Sequence, residues 1–409
     1  MARSRTYSWS TSARLWKTGA RPSCRRGRLA GGAGLVTMRV LVPNLGSTSL
    51  KYKLLDFPAE RELAAGRLER IGRPGGDAPS YRTAIDRVLR DAGQVDAVGF
   101  KAVHAGPEFC GTFRIDGKLI AALREYEDAA PLHNGIYIEG IEEFRSQRPD
   151  LPLVGVMETG FHSTMPARAR TYGLPEEWRE SFGIRRYGFH GASHRSVAER
   201  LPGLLGVDGA SLRAVSCHLG GSSSMCAIRG GRSVDTTMGF SPQSGLENAT
   251  RHGELDAFAA LYLMDRVQLS AAEMRERLVQ SGGLAGLSGI PGGDVRDIEN
   301  AVSKGDARAE LALEVFVYQV RKTIGAYAAA MSGLDALVFT GGIGENAAGL
   351  RQRICEGLEF LSIALDPDKN KSPVPDCRIE RHDSAVACLV LAAQEELVVG
   401  REVYRLLGQ

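Results

Sequence analysis

The feature that most constrains this chain is a small-residue bend between two apolar runs, and it occurs twice. Residues 213–219 are strand-like, Gly220-Gly221-Ser222-Ser223-Ser224 forms a tight corner, and 225–229 return as a second strand before a Gly230-Gly231 turn. Without Cβ atoms such a corner lets backbone N–H groups approach an anion, and the serine hydroxyls add donors. A single strand–turn–strand unit is more commonly an ordinary hairpin. Near the start, however, Leu45-Gly46-Ser47-Thr48-Ser49 echoes Leu219 to Ser224, again between apolar runs. A bend of this kind in each half points to two similar lobes facing each other across a polyphosphate.

The length of 409 residues leaves room for two or three domains. Glycine is abundant, but its 49 positions lie between apolar runs, which fits tight loops rather than low complexity. The net charge of +3 comes from the first 37 residues, which carry eight Arg or Lys and no acid. The remainder is mildly acidic, so no nucleic-acid partner is expected. Residues 1–37 read as an extension outside the fold. Their Arg- and Ser-rich composition fits a transit peptide, but the preferred reading is a region upstream of a true start at Met38, where a strand begins at once. No run of 18 apolar residues predicts a membrane span. The seven cysteines are odd in number and lack a Cys-x-x-Cys pair, so they read as reduced residues of a cytoplasmic protein.

Along the chain, strands are expected over 39–43, 50–56, 61–71, 95–103 and 153–157. Thr83 is expected to cap a helix that ends at Gly93. The run Pro131-Leu132-His133-Asn134 precedes another helix. Glu158 stands at the carboxyl end of a short buried strand, where open α/β sheets bind ligands. Ser270 and Glu273 form a capping box. A long helix over 306–331 stops at Gly333. The buried strand 336–339 runs into Thr340-Gly341-Gly342-Ile343-Gly344-Glu345-Asn346, a nucleotide-contacting turn ahead of a helix. A last amphipathic helix covers 395–407.

Five stretches carry a family resemblance. They are Asn44-Leu-Gly-Ser-Thr-Ser-Leu-Lys51, Ala130-Pro-Leu-His-Asn134, Gly183-Ile-Arg-Arg-Tyr-Gly-Phe-His-Gly191, Ser233-Val-Asp-Thr-Thr-Met-Gly-Phe240 and Phe339-Thr-Gly-Gly-Ile-Gly-Glu-Asn346. From Met38 to Gln409 the chain resembles the acetate kinase family. The resemblance implies an α/β fold of two duplicated ribonuclease-H-like lobes, as in actin-like ATPases, with a nucleotide cleft between them. It divides the chain into an acyl- and metal-side lobe, 38–185 with 395–409, and a nucleotide lobe, 186–394.

The resemblance also implies roles. Glu158, His190 and Arg251 are the expected catalytic residues, with His190 and Arg251 stabilising the transferring phosphoryl group. Lys101 is expected at the substrate, and Val103, Leu132, Phe189 and Pro242 around its alkyl end. Lys51 and the corner residues His218, Leu219, Gly220, Gly221 and Ser222 are expected at the phosphates. Asp294, Val295 and Arg296, with Gly342, Ile343, Gly344, Glu345 and Asn346, are expected at the nucleoside. Asn44 and Glu395 are expected at Mg²⁺ or Mn²⁺; Glu396 also begins the last helix, where the dipole favours acids in any case. His133 and His194 fit a backbone-fixing role as well as substrate contact. ATP and ADP are the implied co-substrates and a homodimer the implied assembly.

The family usually has Arg at Lys101, Asp at Glu158, Asn at Gly221 and Met-Gly at Asn248-Ala249, and a longer segment between Gly72 and Tyr81. A longer acid at 158 meeting a more flexible base at 101 would be compensating changes in one site. The implied reaction is reversible phosphoryl transfer from ATP to acetate. A short-chain carboxylate is already ionised near neutral pH, so the chemistry needs cationic donors and alignment rather than a general base. The alternatives are a propionate- or butyrate-type kinase, and a nucleotide-binding homologue with weakened catalysis.

Overall fold

The computed structural model describes residues 36–408 except 372 and 375. The expected extension over 1–37 therefore lies, but for its last two residues, outside the described residues.

Two six-stranded sheets organise the chain. The first holds β1 (Met38–Gly46), β2 (Ser49–Phe57), β3 (Arg61–Leu68), β4 (Ala97–Ala102), β5 (Thr112–Arg114) and β6 (Leu153–Met157), in the order β3-β2-β1-β4-β6-β5. The second holds β7 (Arg213–His218), β8 (Ser224–Arg229), β9 (Arg232–Thr236), β10 (Ala336–Thr340), β11 (Cys377–Arg378) and β12 (Ala387–Val390), in the order β11-β12-β10-β7-β8-β9. Read from the other edge, the second order repeats the first. Each sheet has an antiparallel meander of three strands, then two parallel strands, then a short antiparallel edge. The echo of the two bends is thus a duplication of whole sheets.

The central strands explain why the parallel half is buried. Every residue of β6 and β10 is buried, as expected of strands covered on both faces. On one face of the first sheet Phe100 meets Phe144 of helix Asn134–Gln147 edge to face. On the other, helix Glu395–Leu407 sets Val398, Val399 and Val403 against Val40, Val42 and Val154. Gly99 permits that approach, because a Cβ there would stand 2.7 Å from Val403. In the second sheet helix Gly191–Leu205 covers one face, and helix Ala307–Met331 covers the other with Phe316, Val320 and Ile324.

Several local expectations are corrected. Ser80, not Thr83, caps helix Tyr81–Ala92: the Thr83 N–H donates to the Ser80 hydroxyl. The first strand, expected over 39–43, runs on to Gly46, so Asn44 lies within β1, paired with Lys51. The first bend is only Ser47-Thr48, closed by Gly46 opposite Ser49. The second bend has five residues, 219–223, between His218 and Ser224. Gly341–Asn346 is itself a helical turn rather than a loop before one. The capping box at Ser270 is present. The long helix ends at Met331 as expected, and its left-handed cap is Ser332 rather than Gly333.

Candidate active site

The carboxyl ends of β4, β6, β10 and β12 and both bends open on one cavity of about 940 Å³. The first bend contributes Gly46 and Ser47, with Asn44 and Lys51 from the strands beside it; the second contributes Gly220, Gly221 and Ser222. A second cavity of about 500 Å³ shares Gly220, Gly221 and Gly342 with the first, so the two form one continuous cleft.

The second bend is braced from behind. The Leu219 N–H donates to the Thr340 carbonyl at 2.8 Å, and the Leu219 carbonyl accepts from Ile343 and Gly344 at 2.8 and 3.0 Å. Leu219 and Gly344 thus join the two glycine-rich turns without lining the cleft, although both were expected as nucleotide contacts. The Ser223 hydroxyl takes the Gly220 N–H at 3.1 Å. Buried Asn248 accepts the Ser223 N–H at 2.6 Å, and the Gly221 carbonyl accepts from Ala249 at 2.9 Å. Residues 221 and 248–249 are therefore neighbours, and Asn248 adds to the corner's support. A Cβ at Gly221 would meet nothing within 4 Å, so no clash demands glycine there.

His190 is placed by its backbone. It is the left-handed residue (φ 56°) before helix Gly191–Leu205, a conformation uncommon outside glycine, Asn and Asp. Gly191 must be small, because a Cβ there would lie 2.1 Å from the Glu158 carbonyl oxygen. The His162 Nε2–H donates to the Phe189 carbonyl at 2.9 Å and so holds the preceding peptide. The His190 ring bonds Ser224 through Nδ1 at 2.8 Å and Ser222 through Nε2 at 3.0 Å, and lies 4.3 Å from the His218 ring. Burial first, then His218 and His194, then Lys101 and Arg251, keep His190 neutral well below the ordinary histidine range. It can therefore serve the cleft as a neutral hydrogen-bond donor.

Arg251 is 5% exposed and lines the same cavity. Its guanidinium donates to the Pro242 carbonyl at 2.8 Å, and no acidic partner lies within ion-pair distance among the described residues. Burial lowers its pKa to about 10. A buried fork without a counter-charge is costly and is ready for an anion.

Opposite lie Lys101, Glu395 and Glu158. The Lys101 ammonium is ion-paired with Glu395 at the start of the last helix. Burial opposes its charge, but Glu395 and then Glu158 overcome that and hold it protonated. Glu158 is 4% exposed, and its Oε1 has no hydrogen-bond partner among the described residues. Burial raises its pKa, with Lys101 opposing and Glu395 assisting. Compensation between Lys101 and Glu158 does not take the form of an ion pair: the salt link of Lys101 is with Glu395, and its effect on Glu158 is through the field.

The smaller cavity is lined by Asp294, Val295, Arg296, Ile343 and Asn346. Asp294 caps helix Val295–Val302 and takes the Arg296 fork at 3.0 and 2.6 Å. That fork and the Arg296 N–H pull Asp294 down to about 2. Val103, Leu132, Phe189 and Pro242 all border the larger cavity. Val103 and Phe189 belong to a buried cluster with Ala130, Tyr187 and Met238, whereas Leu132 is 38% exposed. His133 borders the cavity too; burial, then Arg251 and Lys101, lower it to about 4. His194 lies behind the cleft wall, fully buried. The sequence placed Ser224 in the corner as a donor but not between the rings of His190 and His194, and it did not single out Ser216 or His162.

Among the described residues no group of three or more His, Cys, Asp or Glu could hold a metal alone. Glu395, Asn44 and the unpartnered Glu158 oxygen do supply hard oxygen donors to the cleft. Mg²⁺ is ordinarily held by one or two carboxylates with substrate phosphates completing the shell, and this donor set fits it.

The profile of the acetokinase family matches residues 80–401. An acetate kinase of Carboxydothermus hydrogenoformans is 42% identical, the match covering 90% of this chain and 99% of that protein. The crystal structure of Porphyromonas gingivalis acetate kinase superposes with a TM-score of 0.81 at 35% identity, over 90% of this chain and all of that one. A propionate kinase of Francisella tularensis superposes with a TM-score of 0.82 at 33% identity, over 89% and 98%. With duplicated sheets, a continuous cleft and these matches over nearly its whole described length, the chain belongs to the acetokinase family.

Proposed function

We propose that this chain is an acetate kinase that reversibly transfers the γ-phosphoryl group of ATP to acetate, giving acetyl phosphate and ADP. The observation that carries the reading is Arg251, a buried guanidinium without a counter-charge facing a cavity that both bends also border. ATP extends from the smaller cavity, past Gly220, Gly221 and Gly342, into the larger one. An acetate oxygen attacks the terminal phosphorus in line; the new O–P bond forms as the bond to the β-phosphate oxygen breaks, and ADP leaves. Arg251 and His190 donate to the oxygens on which charge gathers. Lys51 meets the polyphosphate from the first sheet. Asn44 and Glu395, with Glu158 beside them, would hold Mg²⁺ or Mn²⁺, which neutralises phosphate charge when bound. Val103, Phe189, Pro242 and Leu132 enclose the methyl end.

The residues 38–185 with 395–409 form one lobe of this reading and 186–394 the other; the separate sheets and the packing of the last helix on β1 and β4 support it. A homodimer is part of the reading. Helix Ala257–Val267 buries none of its residues and exposes Phe258, Leu261, Tyr262 and Val267, next in the chain to exposed Leu255. A second copy would cover such an apolar face. Among the described residues no helix is long and apolar enough to cross a membrane, and we place the protein in the cytoplasm.

One observation favours a second reading: Leu132 leaves the alkyl pocket partly open, so a longer acid such as propionate could enter. ADP release measured across acetate, propionate and butyrate decides. The acetate reading expects the highest kcat/KM for acetate, and a maximum at butyrate overturns it. ATP binding with no turnover on any of these acids would instead mark a weakened homologue.

A further inference from the structure

Behind His190 a line of hydrogen bonds runs into the core. Ser216 Oγ meets His194 Nδ1 at 2.9 Å, and His194 Nε2 meets Ser224 Oγ at 2.9 Å. The same Ser224 Oγ meets His190 Nδ1 at 2.8 Å, and His190 Nε2 meets Ser222 Oγ at 3.0 Å. Ser224 carries one hydroxyl proton and stands between two ring nitrogens. It can donate to only one of them, so the other must donate to it. The tautomers of His190 and His194 are therefore tied together: both rings carry the proton on Nε2, or both carry it on Nδ1.

The two ends of the line differ. Ser216, His194 and Ser224 are fully buried, and His194 is the only hydrogen-bond partner of the Ser216 hydroxyl among the described residues. Were both rings protonated on Nδ1, the Ser216 proton would be buried without an acceptor, which is strongly disfavoured. Ser222 borders the cleft, where its proton can go to water or to a ligand. The buried end thus sets the direction.

We propose that Ser216, His194 and Ser224 are positioning residues that fix His190 as the Nε2–H tautomer, so that a ring donor faces the cleft. From this direction Ser216 donates to His194 Nδ1, His194 Nε2–H to Ser224, Ser224 to His190 Nδ1, and His190 Nε2–H points at Ser222 and the cavity. The hydrogen atoms are assigned from the network. The opposite order would turn a lone pair toward the cleft, where it would repel a phosphoryl oxygen. The ring's plane is fixed as well, since both nitrogens are held. Burial of His190 among His218 and His194 keeps the ring neutral, so that the tautomer matters. The consequence for turnover rests on the kinase reading; the tautomer itself does not.

The test uses the full chain labelled with ¹⁵N-histidine and long-range ¹H–¹⁵N correlation, with the His190 and His194 signals assigned by their loss in His190→Gln and His194→Gln. The expected wild-type pattern is a single Nε2–H tautomer at both residues. In Ser216→Ala the two rings should move together toward averaged shifts, although residue 216 bonds only one of them. Ser224→Ala should uncouple the rings and lower kcat by about tenfold or more, with KM for acetate and ATP changed less than about threefold. Ser224→Thr, which keeps the hydroxyl, should restore most of the rate. An Nδ1–H tautomer at His190 in the wild type overturns the proposal, as does a His190 signal that stays put in Ser216→Ala. Should Ser224→Ala fail to fold, Ser216→Ala decides. If the expected tautomers and their joint shift are seen in a protein that makes no acyl phosphate, the positioning role stands and the kinase reading falls.

Discussion

Arg251 concentrates the chemistry of the cleft in one side chain. Its guanidinium is buried, bonded to one carbonyl, and lowered to about 10 by burial. An uncompensated buried charge of this kind is a cost that functional sites often carry. Arg251→Gln should lower kcat by about 10³-fold, as loss of an arginine on a transferring phosphoryl group does. Thermal unfolding of the same variant should show no loss of Tm, because the change removes an uncompensated buried charge. A variant with full activity, or one that loses its rate only by unfolding, contradicts this role. Among single residues, His190 and Arg251 were expected in one site, and both border the larger cavity. The Lys101–Glu395 ion pair was not legible, since 294 positions separate the partners and only the folded last helix brings them together. The partners of Ser216 and Ser224 were hidden for the same reason: a serine on a strand gives no sign of which ring lies across the sheet.

At the scale of elements, alternation and punctuation served best where burial was complete. β6 and the helix Glu395–Leu407 have the bounds their patterns predict. Misplaced elements lie where side chains decide a boundary. Ser80 took the cap from Thr83 because its extended backbone lets its hydroxyl reach the N–H three residues on. The turn at Gly341–Asn346 closes into helix because Gly341 adopts φ 79° and its N–H finds Glu345 at 3.0 Å. Helix Ala257–Val267 leaves its apolar residues uncovered among the described residues, which no local pattern in the sequence announces. If a second copy covers that face, Phe258→Glu combined with Leu261→Glu should convert a dimer to a monomer in sedimentation. Both proteins sedimenting as the same species would remove the face from the interface.

At the scale of the molecule, the sheets repeat one order, and that repeat was the most legible property of all. Two bends were enough to foresee it, although their lengths differ. Buried titratable groups give the whole fold a pH signature that sequence could not reveal, since burial is a property of the folded chain. His104, His133 and His162 are each lowered to about 4, chiefly by burial. His190, His194, His218 and His252 are also lowered. For each, the unfolded chain binds the proton first, so stability is full above about 6.5 and is lost as the pH falls toward the folded value, by up to about 1.4 kcal/mol per pH unit per group. Glu158, Asp235, Glu247 and Glu299 are raised and act in the opposite sense, losing stability as they ionise. Seven histidines outweigh four acids, so Tm should fall steadily from pH 6.5 toward pH 4.5; a flat profile there contradicts the buried, neutral histidines.

The central claim is that one cleft between repeated sheets brings the terminal phosphate of ATP to a carboxylate oxygen. Trapping the product with hydroxylamine tests it most directly, with acetate, ATP and Mg²⁺ supplied together. Acetohydroxamate and ADP are expected in equal amounts, with neither formed when acetate is left out. ADP accumulating without hydroxamate, or no ADP at all from a folded protein that binds ATP, contradicts it.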